Sequence, residues 1–208
     1  MSKFTNGKYT FLNDEELYFS YYLDELKQSG IVIDYQYEEE TFELAPDQKF
    51  TYTKTTQLKT KVKTENITKS FLKPITYTPD FAITFSKNMG LFCDTTMTKG
   101  MPMFNIGMDI DGNPTKSYVD IKGLFAGKTN STQYTFPIKQ KWMYDKFMIK
   151  VDKIVPFRLF EQTFTPKKVI ELEVYRRDDQ KRGINRGDTK LKYKIKTIEE
   201  WKKEVQYG

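Results

Sequence analysis

Apolar side chains recur at intervals of three and four near the start of the chain, at Leu12, Phe19, Leu23 and Leu26, with Glu16 on the same face. This predicts a helix over residues 13–28. Asn13 can cap it, Glu16 takes the third helical position of a capping box, and Leu12 can staple onto Leu17. Gly30 supplies the stop. Residues 31–37 and 41–44 read as β with one apolar side, and Pro46 and Asp47 turn the chain. The Thr- and Lys-rich stretch 50–73 partly alternates, which predicts an exposed hairpin or a mobile basic loop. Strands are expected at 77–85 and 117–121. Between them, residues 86–116 carry five Met, four Gly and two Pro without a sustained period, and read as an insertion or hairpin.

Farther on, residues 127–135 read as a polar loop, and Pro137 suits the first position of a helix reaching about residue 149. Residues 154–160 and 169–175 read as strands, 178–189 as turns, 190–196 (KLKYKIK) as a lysine-alternating strand and 198–206 as a short helix. This order predicts an α/β fold with a mixed central sheet flanked by helices. A domain over 1–175 would carry variable insertions at about 46–74 and 86–116, followed by a basic extension at 176–208. No internal repeat is visible.

Charge changes this picture more than length does. Residues 1–40 hold nine acids against three lysines, residues 46–74 seven lysines against two acids, and residues 176–203 eleven Lys or Arg against five acids. Basic stretches beside an acidic region suit a nucleic-acid binder with a carboxylate site, or simply a well-solvated surface. Histidine is absent, which excludes His general bases and His–Cys zinc sites. The single Cys93 excludes an internal disulfide and suits a reducing compartment, so a cytoplasmic location is expected. No run is long enough to span a bilayer, no apolar segment follows the first lysine as in a secretory signal, and no loop resembles a nucleotide-phosphate cradle.

What chemistry remains rests on carboxylates and lysines. Asp80 in YTPDF and Asp120 in YVDIKG can serve a hard divalent ion, which takes oxygen ligands. Residues two apart on a strand share a face, so Asp120 and Lys122 project together while Ile121 turns the other way. Lys122 could orient a water or stabilise an anionic transition state. Glu16 shares its helix face with Phe19 and Leu23, which draws its carboxylate inward if that face packs on the sheet.

Asp80 followed by Asp120-Ile121-Lys122-Gly123 resembles the PD-(D/E)xK nuclease pattern, with Asp before x-Lys where Glu is more usual. Together with Glu16, Leu23, Gly30, the TFEL segment and Phe136-x-x-Lys139-x-Lys141, the ordered set is similar to phage-associated small nucleases resembling Holliday junction resolvases, over roughly residues 13–150. The resemblance implies a restriction-endonuclease-like core and a divalent-metal-dependent endonuclease acting on branched DNA. Asp80, Asp120, Glu16 and the Ile121 carbonyl would hold Mg2+ (Mn2+ substituting), and Lys122 would be the catalytic lysine. If the chain is phage-encoded, the compartment would be the cytoplasm of a bacterial host. Junction resolution needs two coordinated cuts, hence a possible homodimer. The spacing between Asp80 and Asp120 is longer than that core pair usually has, so residues 86–116 must loop out.

Each residue also has an ordinary structural reading. Glu16 can be only a cap, with Glu15 as the alternative site acid. Asp80 can be a strand-edge acid, Asp120 and Lys122 an exposed ion pair, and Glu38, Glu39 and Glu40 a solvated turn with Glu38 alone near the site. Lys139 and Lys141, two apart on a helix, cannot both face one point. Arg176, Arg177, Lys181, Arg182 and Arg186 could contact phosphates, or belong to an oligomerisation element or a disordered arm. The competing functional class is a non-catalytic nucleic-acid-binding or assembly protein on a nuclease fold.

Overall fold

Asn13 starts the first helix by accepting the Glu16 amide hydrogen on its side chain, with extended backbone of its own. In the computed structural model of the chain, which describes residues 4–87, 96–97, 101–102, 106, 109, 111–123, 132–181 and 191–207, a small hairpin of β1 (Phe4–Thr5) and β2 (Thr10–Phe11) precedes this helix, α1 (Asp14–Gln28). Gly30 (φ +75°) closes α1: its amide donates to Lys27 O and that of Ile31 to Leu26 O, the paired bonds of a Schellman stop. Leu12 is 79% exposed, so the expected staple onto buried Leu17 does not form; the Leu12 amide instead donates to the Glu16 carboxylate.

β3 (Val32–Tyr37) and β4 (Phe42–Ala45) follow, then a ribbon of β5 (Gln48–Gln57) and β6 (Val62–Leu72), then β7 (Ile75–Tyr77) and β8 (Phe81–Phe85). The strand expected over 77–85 is therefore two strands in different sheets: β7 pairs with β4, and β8 joins the central sheet. Buried Pro79 causes the break, because it has no amide hydrogen to give to a ladder. Two short strands, β9 (Thr96–Met97) and β10 (Met101–Pro102), pair within the methionine-rich insertion. Then come β11 (Lys116–Ile121), α2 (Thr132–Phe147), β12 (Val151–Ile154), α3 (Pro156–Gln162), α4 (Lys167–Lys181) and α5 (Ile198–Tyr207).

The central sheet has the order β12-β11-β8-β3, with β11 antiparallel to β8 and parallel to β12. Alternate residues feed two cores. Phe81, Ile83, Val119, Ile121 and Ile154 pack with α1, α3 and the C-terminal segments, while Ala82, Tyr118 and Val151 pack with Phe136 and Met143 of α2 and with Leu44 and Tyr77. The architecture is thus mixed α/β, a central sheet with helices on both faces. Among the described residues no helix is long and apolar enough to cross a membrane.

Several expected elements differ. Residues 156–162 are helical, not β: Pro156 sits at the start of α3, and Phe157 and Phe160, three apart, are buried on one helical face. Residues 169–175 also lie in a helix. Alternation in IELEV, within VIELEVY, mimics a strand, yet Val169 and Glu173, four apart, are the buried pair, and Tyr18 donates to the Glu173 carboxylate at 2.8 Å. Pro137 falls inside α2, which begins at Thr132, so the proline removes one ladder donor instead of opening the helix. KLKYKIK forms no strand among its described residues. Thr165 tethers it, donating to Lys196 O and to the Tyr193 hydroxyl, while Leu191 and Tyr193 pack on the larger core. Ile198 and Trp201 of α5 are buried in that core, Trp201 against Phe164.

Candidate active site where the chain changes sheets

The antiparallel register of β8 and β11 closes the sequence gap between the two aspartates. Phe81 lies opposite Val119, so one step further along both strands Asp80 faces Asp120. Cross-strand neighbours hold their Cβ atoms about 5 Å apart, and like charges so placed repel. The Thr78-Pro79-Asp80 corner carries Asp80 to this position as the chain leaves the sheet of β4 and β7.

The contacts around the pair are specific. The Ile121 amide donates to Asp80 Oδ2 at 2.5 Å, Tyr77 Oη donates to Asp120 Oδ2 at 3.0 Å, and Lys122 Nζ pairs with Asp120 Oδ1. The Asp80 and Asp120 carboxyls are also close enough to act on each other. Burial and then the Asp120 charge push the Asp80 carboxyl up to about 8, against the lowering effect of the Ile121 amide; Glu16 adds to the rise. The Tyr77 hydroxyl is raised well above its ordinary value by burial and by Asp120. The pair is therefore driven to retain a proton, the response of two crowded carboxyls.

A cleft of about 200 Å³ opens over the pair, lined by Tyr77, Thr78, Asp80, Asp120, Lys122, Thr135, Phe136 and Lys139. Lys139 Nζ lies 5.3 Å from the Tyr77 ring centre, and Lys122 Nζ 5.9 Å from that of Phe136. Of the two helix lysines, Lys139 faces the cleft and Lys141 is exposed outside it, as their spacing requires.

Glu16 is buried next to the cleft without lining it. Its carboxylate accepts from the Leu12 amide, Asn13 Nδ2 and Tyr37 Oη. The Glu15 carboxylate comes close to Gly123, where an added Cβ would lie 3.3 Å from Oε1. The three acids after β3 are partnered: the Glu38 amide donates to Asp80 O, Glu39 pairs with Lys116, and Glu40 accepts from Tyr118. Arg176, Arg177 and Lys181 fall on the second half of α4, and Arg182 and Arg186 lie outside the described residues.

Tyr77 and Thr78 were not among the expected site residues, although both stand directly before the Pro-Asp pair. Tyr77 ends β7 with its ring in the smaller core and its hydroxyl on Asp120. Among the described residues no three His, Cys, Asp or Glu side chains cluster, so the cleft offers two carboxylates. That donor set fits a hard divalent cation: two carboxyl groups in contact, one driven to keep a proton, with the Ile121 main chain beside them. No family model, curated protein or solved structure matches the chain.

Proposed function

We propose that the protein is a divalent-metal-dependent DNA endonuclease of the PD-(D/E)xK type, with a restriction-endonuclease-like core, hydrolysing phosphodiester bonds in branched DNA such as Holliday junctions or replication intermediates. The observation that carries this reading is the contact of the Asp80 and Asp120 carboxyls beside Lys122, at the floor of an open cleft. Asp80, Asp120 and the Ile121 carbonyl would hold Mg2+ or Mn2+. Once bound, such an ion supplies Lewis-acid charge and an activated water to phosphodiester hydrolysis.

The chain's own groups divide the remaining work. Tyr77 Oη and Lys122 Nζ fix the two oxygens of Asp120. The Ile121 amide fixes Asp80, which would hold the ion as the deprotonated carboxylate. Lys122 and Lys139 set two positive charges in the cleft for the scissile phosphate, and the low-dielectric wall of Tyr77 and Phe136 strengthens them. A homodimer would complete the proposal, because resolving a junction takes two cuts, and the compartment would be the cytoplasm, that of a bacterial host if the chain is phage-encoded.

One observation favours the non-catalytic alternative: Lys122 already neutralises Asp120 from within the chain. The experiment is incubation of the purified protein with end-labelled junction, linear duplex and single-stranded DNA, with magnesium or with EDTA. Magnesium-dependent cutting that favours the junction is expected. Binding to DNA without metal uptake and without cutting of any substrate would hand the cleft to the alternative.

A further inference from the structure

The paired strands β5 and β6 stand apart from both cores. Ten register pairs, from Gln48 opposite Leu72 to Gln57 opposite Val62, build a two-stranded ribbon, and almost every residue in it is exposed. At about 3.4 Å per residue its ten-residue strand reaches roughly 34 Å, close to one turn of B-form DNA. An isolated ribbon of this length buries too little to be maintained for stability alone.

Its two faces differ. By the alternation of the pairs one face carries Phe50, Tyr52, Lys54, Lys63, Ile67, Lys69 and Phe71, with Thr56 and Glu65 among them and Glu65 paired to Lys63; the other is mostly Thr, Asn and Ser. On the first face Phe50 stacks on Tyr52 at 5.6 Å and meets Phe71 edge-on at 6.1 Å, with Lys69 Nζ 5.8 Å from the Tyr52 ring centre. Lys59 and Lys61 sit at the tip, where the Leu58 amide bonds to Lys61 O. The stretch 46–74 holds seven lysines against two acids. A surface of that charge repels a second copy of itself and attracts a polyanion.

The position of the ribbon is as informative as its charge. It continues the β4–β7 pair, and β7 ends in Tyr77, the donor to Asp120 and a wall of the cleft. Lys146 of α2 ties β4 down by donating to Glu43 O at 2.6 Å, and the Thr41 and Thr78 hydroxyls bond across the same corner. Whatever the ribbon grips is therefore registered against the carboxylate pair.

We propose that the β5–β6 ribbon is a DNA-binding arm that lies along a B-form duplex leading into the cleft, its lysines on phosphates and its width suited to the major groove. That groove admits a two-stranded ribbon, whereas the deep, narrow major groove of A-form RNA does not. The arm holds DNA by backbone charge, so it contributes affinity and placement and little base preference. The choice of DNA rests on the nuclease reading of the cleft.

The test measures equilibrium binding of labelled duplex and junction DNA in EDTA, from about 50 to 200 mM salt. The proteins are wild type and the triple variant Lys54→Gln, Lys61→Gln, Lys69→Gln. The three lysines are exposed, so the triple variant should melt like wild type. Its log–log salt slope should fall by about 2 to 3 and its affinity by about 10- to 100-fold, similarly for different sequences. An unchanged slope in the triple variant, or tighter binding of duplex RNA than of duplex DNA, overturns the arm and leaves the nuclease reading standing. A lowered slope in the triple variant, with a wild-type protein that cuts nothing, keeps the arm and removes the nuclease. Dissociation of a dimer in the triple variant with the salt slope intact reassigns the ribbon to contact between chains and also overturns the proposal.

Discussion

Replacing Asp80 by Asn should make the metal-free protein more stable, and increasingly so as pH rises. Asp80 stands opposite Asp120, partly out of water, and its carboxyl is pushed from 3.8 up to about 8. Below pH 4 the group is protonated in both the folded and the unfolded chain and contributes nothing. Between pH 4 and 8 the unfolded chain has lost this proton and the folded chain keeps it, so stability falls with pH by linkage. Above 8 the full penalty is present. One unit corresponds to about 1.4 kcal/mol, so a shift of this size caps the cost at about 6 kcal/mol. The proton is shared with Asp120, and the Asn amide cannot reproduce every contact, so about 2–3 kcal/mol of relief is expected at pH 9. For a chain of this length that is a rise in Tm of about 4–12 °C. Thermal melts of wild type and Asp80→Asn in EDTA at pH 5, 7 and 9 read it directly. An Asn variant that melts below wild type at pH 9, or a difference that stays flat across the range, would refute the claim that two crowded carboxyls destabilise this corner.

Other substitutions separate the roles around the cleft. Lys122→Ala should leave metal binding in place and lower the cleavage rate about 100-fold, the cost of one transition-state donor, whereas Asp120→Asn should lose both metal and activity; metal titration beside single-turnover cleavage distinguishes them. Tyr77→Phe removes the donor to Asp120 Oδ2 and should cost about 1 kcal/mol in a denaturant melt. Glu16→Gln keeps an acceptor for the Leu12 amide and Tyr37, so cleavage should stay within about threefold of wild type; a loss near that of Asp120→Asn would put Glu16 in the metal site. Trp201→Ala should destabilise the fold by about 3–5 kcal/mol, because this side chain of the basic C-terminal region is 2% exposed against Phe164; a melt unchanged from wild type would show α5 to be dispensable.

Much of the site could be read from local chemistry, and what was missed lay in long-range pairing. The Asn13 cap and the Gly30 stop are short-range signals, and both ends of α1 fall where they indicate. Asp120 and Lys122 share a face by the period of any strand. That Asp80 stands opposite Asp120 needed the β8–β11 register, which nothing within the intervening segment encodes. Pro79 was visible as a strand breaker, but not that the chain would change sheets there and leave Tyr77 as a wall of the cleft. The aromatic and β-branched residues of 154–160 and the alternation within VIELEVY match a strand locally. Burial of Phe157 with Phe160, and of Val169 with Glu173, selects the helix instead, a tertiary preference overriding β propensity. Because Ile198 and Trp201 complete the larger core, cutting the chain at 176 would test folding before it tested DNA binding, and point substitutions are the sounder probe of the basic tail.

The measurement that bears most directly on the cleft is a calorimetric titration of Mn2+ into wild type and Asp120→Asn at pH 7, in two buffers of different ionisation enthalpy. With the Asp80 carboxyl raised by burial and by Asp120, Mn2+ binding should release protons in wild type, and binding should be lost in the variant. Wild-type protein that takes up no Mn2+, or uptake that survives Asp120→Asn with no proton released, would contradict the assignment of Asp80 and Asp120 as a metal site.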